Sequence, residues 1–486
     1  MACIIKRKDI DENKAKVIYD TLKLLPKAKS KHDKVKKNHI TLYKRIDDDI
    51  HLPYCYASAL FDIYPNDNIE FPKINIEFIT TLRDYQIPVE EQIYNIIQDY
   101  GSGILGVYPG FGKTMLGASI TCKLGYKTAI LVPRVGLCEQ WEKTFKNATN
   151  AITWIFGEQN QPINFDVIII NIDRCTNITS DILDSIGFLI IDEAHMICTR
   201  ERVKNLFLFH PKFILAETAS LERNDDLHNI MYAFCGTKGV FLDYKKPYEL
   251  LKIKTFFTPE SIENANGKLD YPHLEKTLFS IDDRNIYITS LVINHPYKSM
   301  ILTSHQNHVY ELVNKIRKQS ITCDFLCGTK QKYNDSRVLI GTWQKIGTGF
   351  DEATKCDDFS GEKIELLILV TSIQLVPQLI QNVGRVFRAD FPKVIVLVDN
   401  HNVYNKHWTE ARKWYIKSGA NIKTKLLKKE EFDIIKEDVI SKEIEIDNEI
   451  KIEYDSNGKK KLIGINPEKK PRKSKTKLLK KDVISK

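Results

Sequence analysis

Two short segments of the sequence contain residue types that could bind and hydrolyse a nucleoside triphosphate. In the first, Gly110-Phe-Gly112-Lys113-Thr114, the glycines let the backbone bend so that its N–H groups can face phosphate oxygens. Lys113 would neutralise phosphate charge, and Thr114 would hold Mg²⁺. The general pattern G-x-x-x-x-G-K-[ST] would need a glycine at Val107, so this segment by itself could also be a chance loop.

The second segment is FLIIDEAH, residues 188–195, in which an apolar run ends in two adjacent carboxylates. At the tip of a buried strand, Asp192 would anchor Mg²⁺ through its water shell, and Glu193 would orient and polarise an attacking water. The alternative is a helix N-cap with an acidic first turn. Asp192 follows Thr114 by 78 residues, and an open parallel sheet can bring both to one edge. Together the two segments predict nucleotide hydrolysis.

A third segment, Gln381-Asn-Val-Gly-Arg385-Val-Phe-Arg388, could supply positive charge to the same reaction. The γ-phosphate needs a cation that arrives from outside the domain of the phosphate loop. Arg385 and Arg388 are three residues apart, so they can lie on one face of a helix or turn and reach the phosphate together. An Arg-x-x-Arg pair by itself is usually a surface pair, and its interpretation depends on the other two segments.

The elements that must position these residues are parallel strands. The strand-like run ILGVY (104–108) precedes the phosphate loop, and the helix-length segment MLGASITCKLG follows it. Short apolar runs separated by helix-length segments predict parallel sheets that are covered on both faces. Four more such runs follow in the first half of the chain and four in the second: AILVP (129–133), FDVIIIN (165–171), FLIID (188–192), FILAE (213–217), KSMILTSH (298–305), SRVLIGTW (336–343), IELLILVTS (364–372) and KVIVLVDN (393–400).

The order of these segments resembles that of the superfamily 2 DExH-box helicases. Residues 192–195 (DEAH) are similar to their DExH box, residues 109–114 (PGFGKT) to their phosphate loop, and residues 381–388 to their pattern Q-x-x-G-R-x-x-R. Within the superfamily the chain most resembles the transcript-release helicases of large cytoplasmic DNA viruses and the type III restriction-type translocases. The opening Leu-Arg-x-Tyr-Gln at 82–86 is a shared feature.

This resemblance implies roles for further residues. Gln86 would read adenine, with Arg83 beside it in the same motif, and Gly349 and Asp351 would belong to the nucleotide site. Contacts to nucleic acid, or coupling of those contacts to hydrolysis, would involve Arg134, His195, Thr218, Ser220 and Thr342. The chain also departs from the family pattern, because Glu217 stands where a small residue is usual and Leu221 where proline is usual. These departures flank Thr218-Ala-Ser220, which resembles the family's coupling motif, so they concern the coupling of hydrolysis to strand movement rather than ATP hydrolysis.

The expected fold class is α/β, with two tandem RecA-like domains, a small β-rich N-terminal piece and a basic C-terminal tail. Residues 41–72 are expected to form short strands broken by turns. The expected divisions are an N-terminal accessory region (1–80), a first RecA-like domain (81–240), a connector (241–290), a second RecA-like domain (291–415) and a charged, partly disordered tail (416–486).

The resemblance implies an ATP- and Mg²⁺-dependent motor that moves along or unwinds DNA or an RNA–DNA hybrid. Nucleic acid is the expected partner, DNA before RNA, and transcript release would add the viral transcription machinery. An RNA helicase and a translocase that moves on duplex DNA without strand separation remain alternatives, with a non-hydrolysing nucleic-acid-binding scaffold as a remoter one. A simple phosphate-loop kinase is disfavoured, because it needs no second α/β half.

Composition limits the remaining classes. The net charge of +9 comes from the C-terminal segment, residues 459–486, which has twelve basic and two acidic side chains. Residues 1–458 have 60 basic and 61 acidic side chains, so they are close to neutral. A basic arm of this kind is usually solvated, and it can add non-specific affinity for phosphate. The ten scattered cysteines favour free thiols over a zinc site. Neither a signal peptide nor a transmembrane segment is expected, so the sequence predicts a cytoplasmic protein without a membrane partner, and packaging in a virion stays open.

Overall fold

The computed structural model describes residues 1–26, 39–158, 162–219, 221, 225–347, 350–373, 375–446, 449–454 and 460–463. Within these residues the chain forms two seven-stranded parallel sheets with helices packed on them, together with small antiparallel sheets. This arrangement confirms the predicted fold class of two tandem RecA-like domains. Among the described residues, no helix combines the length and the apolar composition needed to cross a membrane.

The strands are β1 (Ala2–Lys6), β2 (Lys23–Leu24), β3 (Ile40–Thr41), β4 (Lys44–Ile46), β5 (Asp49–Pro53), β6 (Ser102–Val107), β7 (Thr128–Val132), β8 (Thr153–Ile155), β9 (Val167–Asn171), β10 (Phe188–Ile191), β11 (Phe213–Glu217), β12 (Gly239–Leu242), β13 (Tyr248–Lys254), β14 (Ser299–Thr303), β15 (Cys323–Leu326), β16 (Val338–Thr342), β17 (Leu366–Leu369), β18 (Lys393–Val398), β19 (Ala420–Leu426), β20 (Lys451–Tyr454) and β21 (Lys460–Ile463).

The helices are α1 (Glu12–Thr21), α2 (Tyr54–Phe61), α3 (Ile87–Tyr100), α4 (Lys113–Leu124), α5 (Gly136–Ala148), α6 (Ser180–Asp184), α7 (Ala194–Ile197), α8 (Val203–Leu206), α9 (His228–Cys235), α10 (Tyr271–Phe279), α11 (Asp282–Ile293), α12 (Gln306–Arg317), α13 (Trp343–Gly347), α14 (Glu352–Lys355), α15 (Val376–Val383), α16 (Asn402–Lys417) and α17 (Lys429–Ser441). Short 3₁₀ turns follow β1, β9 and α15.

The first sheet has the strand order β12-β6-β11-β10-β7-β9-β8, and all its pairs are parallel. Its central strands β6, β11, β10, β7 and β9 are buried on both faces. Along β7, Ala129 and Leu131 belong to one apolar layer, and Ile130 and Val132 belong to the other. Because successive side chains of a strand point to opposite faces, a fully apolar run is the sequence pattern that such a strand requires. The strand β11 lies between β6 and β10, so the loops that follow these three strands meet at one edge.

The second sheet has the order β15-β16-β14-β17-β18-β13-β19, again with parallel pairs. Met300 and Leu302 of β14 pack into one apolar layer and Ile301 into the other. The strand β13 lies inside this sheet, although it belongs to the segment 241–290 that the sequence assigned to a connector. The strand β19 and helix α17 likewise fall within the segment predicted as a tail. The expected domain divisions therefore stay a prediction.

The N-terminal region contains the antiparallel sheet β1-β5-β4, and Asp47 has a φ of 50° in the turn between β4 and β5. The prediction of short strands throughout 41–72 was wrong for residues 54–61, which form the helix α2. Tyr54 and Ala57 of this helix are fully buried in the apolar layer that also contains β1 residues. Burial against β1 and α9 stabilises the helix, and the short apolar run YCYASALF carries no periodicity that would have predicted it.

Candidate nucleotide site between the two halves

The phosphate loop connects the buried end of β6 to the first residue of α4. Gly110 and Gly112 have φ values of 88° and 102°, in the left-handed region that favours glycine. A Cβ atom on Gly112 would lie 2.3 Å from the Gln86 Nε2 atom, so a side chain at this position would also displace the Gln86 amide. Val107 is the last residue of β6 and is buried, which explains why no glycine is needed there.

Asp192 follows β10 directly and is almost fully buried. The indole Nε1 of Trp141 on α5 donates a hydrogen bond of 2.9 Å to Asp192 Oδ2. Burial, and next the charge of Glu193, raise the pKa of Asp192 to about 6. Glu193 itself has a φ of 48°, and such a conformation costs of order 1–3 kcal/mol in a non-glycine residue. Backbone strain of this kind concentrates at functional sites, which fits the predicted catalytic role of Glu193.

His195 connects the carboxylate segment to the two other motifs. Its Nδ1 atom lies 3.0 Å from Thr218 Oγ1, and its Nε2 atom lies 3.4 Å from Gln381 Nε2. Since an amide nitrogen can only donate, His195 Nε2 accepts and Nδ1 donates to the threonine hydroxyl. A hydrogen-bonded chain thus runs from the second half of the molecule, through His195, to the end of β11.

The arginines of the third segment lie against the phosphate loop. A Cβ atom on Gly110 would be 3.4 Å from Arg388 Cγ, and one on Gly384 would be 2.6 Å from Pro109 Cβ. Arg388 Nη1 donates to Asp351 Oδ2 at 2.5 Å, which holds its side chain beside the loop. The structure therefore brings the predicted cationic segment of the second half to the nucleotide loop of the first.

Arg385 is held by two backbone carbonyls of its own half. Its Nη1 and Nη2 atoms donate to Phe350 O at 2.8 Å and to Gly347 O at 2.6 Å. Burial, and next the charge of Arg388, lower the pKa of Arg385 to about 10. At neutral pH the guanidinium keeps its positive charge, and its position is set by the loop that precedes Asp351.

Gln86 is buried and fixed to the phosphate loop. Its Nε2 atom donates to Phe111 O at 2.8 Å, and its Oε1 atom accepts from the backbone N–H of Arg83 at 2.9 Å. The Arg83 guanidinium in turn donates to the Tyr85 hydroxyl at 2.7 Å. This motif therefore lies at the phosphate loop, and the role of Gln86 in recognising adenine stays a prediction.

These groups line one cleft of about 520 Å³ between the two halves. The predicted site residues on its walls are Arg83, Gln86, Gly110, Gly112, Lys113, Thr114, Asp192, Glu193, Asp351, Gln381, Arg385 and Arg388. A more open cavity of about 600 Å³ beside Asp173 and Arg202 is lined by none of the predicted site residues. The cleft is therefore the candidate nucleotide site, because most of the predicted site residues line it.

Other predicted residues lie elsewhere. His195 and Thr218 form the hydrogen-bonded chain behind the cleft, and Thr342 is the buried last residue of β16. Arg134 lines a second cavity of about 190 Å³ between the halves, where its Nη1 atom donates to Gln344 O at 3.2 Å. Gly349 and Ser220 fall outside the described residues.

Two residues of the site were not assigned by sequence reasoning. Trp141 holds Asp192, and no signal in the sequence indicates that contact. Glu217 was noted only as a departure from the family pattern. It is fully buried at the end of β11, and burial raises its pKa well above the ordinary range. Side chains of a strand alternate between its two faces, so Glu217 lies on the same face of β11 as Phe213 and Leu215. This periodicity is the signal that could have predicted a buried carboxyl.

The sequence was compared with protein families and with known proteins. Residues 79–223 match the family model described as "Type III restriction enzyme, res subunit". Protein 161L of Invertebrate iridescent virus 6, named as a helicase, is 28% identical over 87% of this chain and 99% of its own length. Protein L396 of Acanthamoeba polyphaga mimivirus, named as an ATP-dependent RNA helicase, is 26% identical over 88% of this chain and 89% of its own.

Among solved structures, that of S. cerevisiae Dbp5 bound to RNA and ADP BeF3 superposes with a TM-score of 0.50 at 14% identity, covering 73% of this chain and 93% of that one. At this identity the match concerns the fold. The fold is that of two tandem RecA-like domains, with a phosphate loop in one half and arginines from the other. Together, the fold, the matching family model and the viral relatives support a superfamily 2 helicase related to viral helicases and to type III restriction-type enzymes.

Proposed function

We propose that this protein is an ATP-dependent nucleic-acid motor that moves along DNA or an RNA–DNA hybrid and separates or displaces strands. The observation that carries the proposal is the position of Arg388, from the second half, against Gly110 of the phosphate loop in the first. ATP bound in this cleft would contact both halves, so its hydrolysis changes the contacts between them. A hinge motion driven by such differential contacts is the basis of movement along a strand.

The residues of the cleft fit a nucleoside triphosphate with Mg²⁺. The glycines of the loop leave backbone N–H groups free to face phosphate, and Lys113 lies at the first turn of α4, where the helix dipole also favours an anion. Thr114 and Asp192 would hold Mg²⁺, through water at Asp192. When bound, Mg²⁺ neutralises charge that develops on the β- and γ-phosphates.

The remaining steps belong to side chains of the chain itself. Glu193 orients and polarises the attacking water, and one of its oxygens, Oε2, makes no hydrogen bond among the described residues. Arg385 and Arg388 stabilise charge on the transferred phosphoryl group. The hydrogen bonds from Gln381 through His195 to Thr218 couple the nucleotide cleft to the end of β11, where the coupling motif begins.

The second cavity supports a path for nucleic acid across both halves. Arg134 comes from the first half, and Lys345 and Lys355 come from the second. Burial, and next the charge of Lys355, lower the pKa of Lys345. A phosphate group in this cavity would contact cations from both halves. Such contacts would be made to the phosphate backbone of the nucleic acid, so we expect binding to be independent of nucleotide sequence and sensitive to salt.

ATPase activity of the full-length protein tests this function most simply. We expect single-stranded DNA to raise ATP turnover more than single-stranded RNA of the same length does, and we expect the stimulation to fall as salt rises. Stimulation by RNA alone would favour the second candidate, an RNA helicase, which the name of the mimivirus relative supports. Turnover that responds to neither nucleic acid would refute a nucleic-acid motor.

Unwinding and translocation on duplex DNA can be separated in the same preparation. A motor that separates strands displaces a labelled strand from a partial duplex, whereas a translocase on duplex DNA displaces the third strand of a triplex. We propose strand displacement. Since two of the similar proteins are viral, we further propose that the natural context is viral transcription. ATP-dependent release of nascent RNA from a halted transcription complex would support that role, and release without ATP would contradict it.

A further inference from the structure

Glu217 is a carboxyl group without a hydrogen-bond partner among the described residues. It is the last residue of β11, its exposed fraction is 0%, and neither of its oxygens has a hydrogen-bond partner in the described part of the chain. Buried carboxyl groups without partners are costly and uncommon, and each one calls for an explanation such as an ion or a catalytic role. A leucine of similar size would fill the same space without that cost.

Glu217 packs next to residues that contact the candidate nucleotide site. A Cβ atom on Gly117 of α4 would lie 3.0 Å from Glu217 Oε1 and 2.9 Å from the Trp141 ring, so the carboxyl is packed against the phosphate-loop helix beside this tryptophan. The same Trp141 donates its indole hydrogen bond to Asp192. The charged groups that act on the Glu217 carboxyl are Asp192, Lys113 and Glu193, all of which line the cleft.

We propose that Glu217 is a positioning residue for the divalent cation that enters the cleft with ATP. Mg²⁺ keeps several of its waters when it binds a protein, and the protons of those waters need acceptors. Outer carboxyl groups often provide them and orient the groups that hold the metal. Cation binding at Asp192 would thus give the Glu217 oxygens, through water, the partners that the described residues do not provide. The inference rests on the proposed function, because it assumes that the cleft binds nucleotide with a cation.

The test compares Glu217→Leu and Glu217→Gln with the unchanged full-length protein, using Mn²⁺ and ADP as probes. We expect Glu217→Leu to weaken Mn²⁺ binding in the presence of ADP about tenfold or more, as measured by the EPR signal of free Mn²⁺. ADP affinity in EDTA should stay the same. Glu217→Gln keeps one acceptor oxygen and should fall between the two. In the absence of metal, Glu217→Leu should raise the melting temperature, because it removes a buried carboxyl without partners.

Glu90 provides a matched control in the same half. It is equally buried, but its two oxygens accept from Ser119 Oγ at 2.7 Å and from Lys123 Nζ. Glu90→Gln should lower the melting temperature and leave Mn²⁺ affinity unchanged. Equal Mn²⁺ affinity of Glu217→Leu, Glu217→Gln and the unchanged protein would overturn the inference while leaving the proposed function intact. Failure of the unchanged protein to bind ADP at all would refute both.

Discussion

At the scale of residues, the site shows why the phosphate loop departs from the general pattern. Val107 ends a buried strand, and the left-handed backbone falls on Gly110 and Gly112. The glycine that the general pattern requires at the position of Val107 would weaken the strand without shaping the loop. In the proposed function, the residues that carry the chemistry are Lys113, Asp192 and Glu193 in one half and the arginines in the other.

Replacing Glu193 by glutamine separates binding from hydrolysis. Glutamine keeps the size of the side chain and removes the negative charge that polarises the attacking water, so we expect ATP binding to be retained and turnover to fall about a hundredfold or more. Binding of a fluorescent ATP analogue and steady-state ATPase activity measure the two effects. Glu142→Gln, on the surface of α5, is a suitable control. Unchanged turnover in Glu193→Gln would refute the assignment of Glu193.

At the scale of elements, nine of the fourteen strands described in the two large sheets could be predicted from sequence, because each is a short buried run. The β6 run before the phosphate loop is one of these nine. The strand β13 was missed because buried and exposed positions mix along YELLKIK. The strand β19 was missed because, as an edge strand, it is mostly exposed. The motifs of the site could be predicted from residue type and spacing. The contacts of Trp141 and Glu217 could not, because they depend on how α4 and α5 pack on the sheet.

The attachment of the N-terminal sheet to the first half should depend on pH. The His210 ring lies 5.7 Å from the His51 ring of β5, and burial first, then neighbouring positive charges, lower the pKa of His210 to about 3. The unfolded chain therefore binds a proton below about pH 6.5 that the folded chain does not. Stability is fully present above that pH and is lost progressively toward pH 3, with a loss of up to about 2 kcal/mol at pH 5.

Replacement of His210 tests this account directly. Melting temperatures measured from pH 7.5 to pH 5 should fall less steeply for His210→Phe than for the unchanged protein. His39→Gln, at an exposed histidine of the N-terminal region, serves as the control and should leave the slope unchanged. Equal slopes for His210→Phe and the unchanged protein would show that another group controls the loss of stability in acid.

At the scale of the whole molecule, the proposed function needs both α/β halves, because the residues proposed for the site come from both. The first half holds the phosphate loop, Asp192 and Glu193, and the second brings the arginines. Both the cleft and the second cavity lie between the halves, so a change of nucleotide can alter the grip on a strand through one motion. This arrangement is the central claim of the proposed function.

ATP turnover and ATP binding by Arg388→Ala, measured with the full-length protein and single-stranded DNA, test that claim most directly. Because Arg388 acts on the transition state from the opposite half, we expect ATP binding to change little and turnover to fall about a thousandfold or more. Arg412→Ala, at an exposed arginine of α16 in the same half, should match the unchanged protein. Full turnover in Arg388→Ala would contradict the account, because the second half would then contribute no essential charge to the reaction.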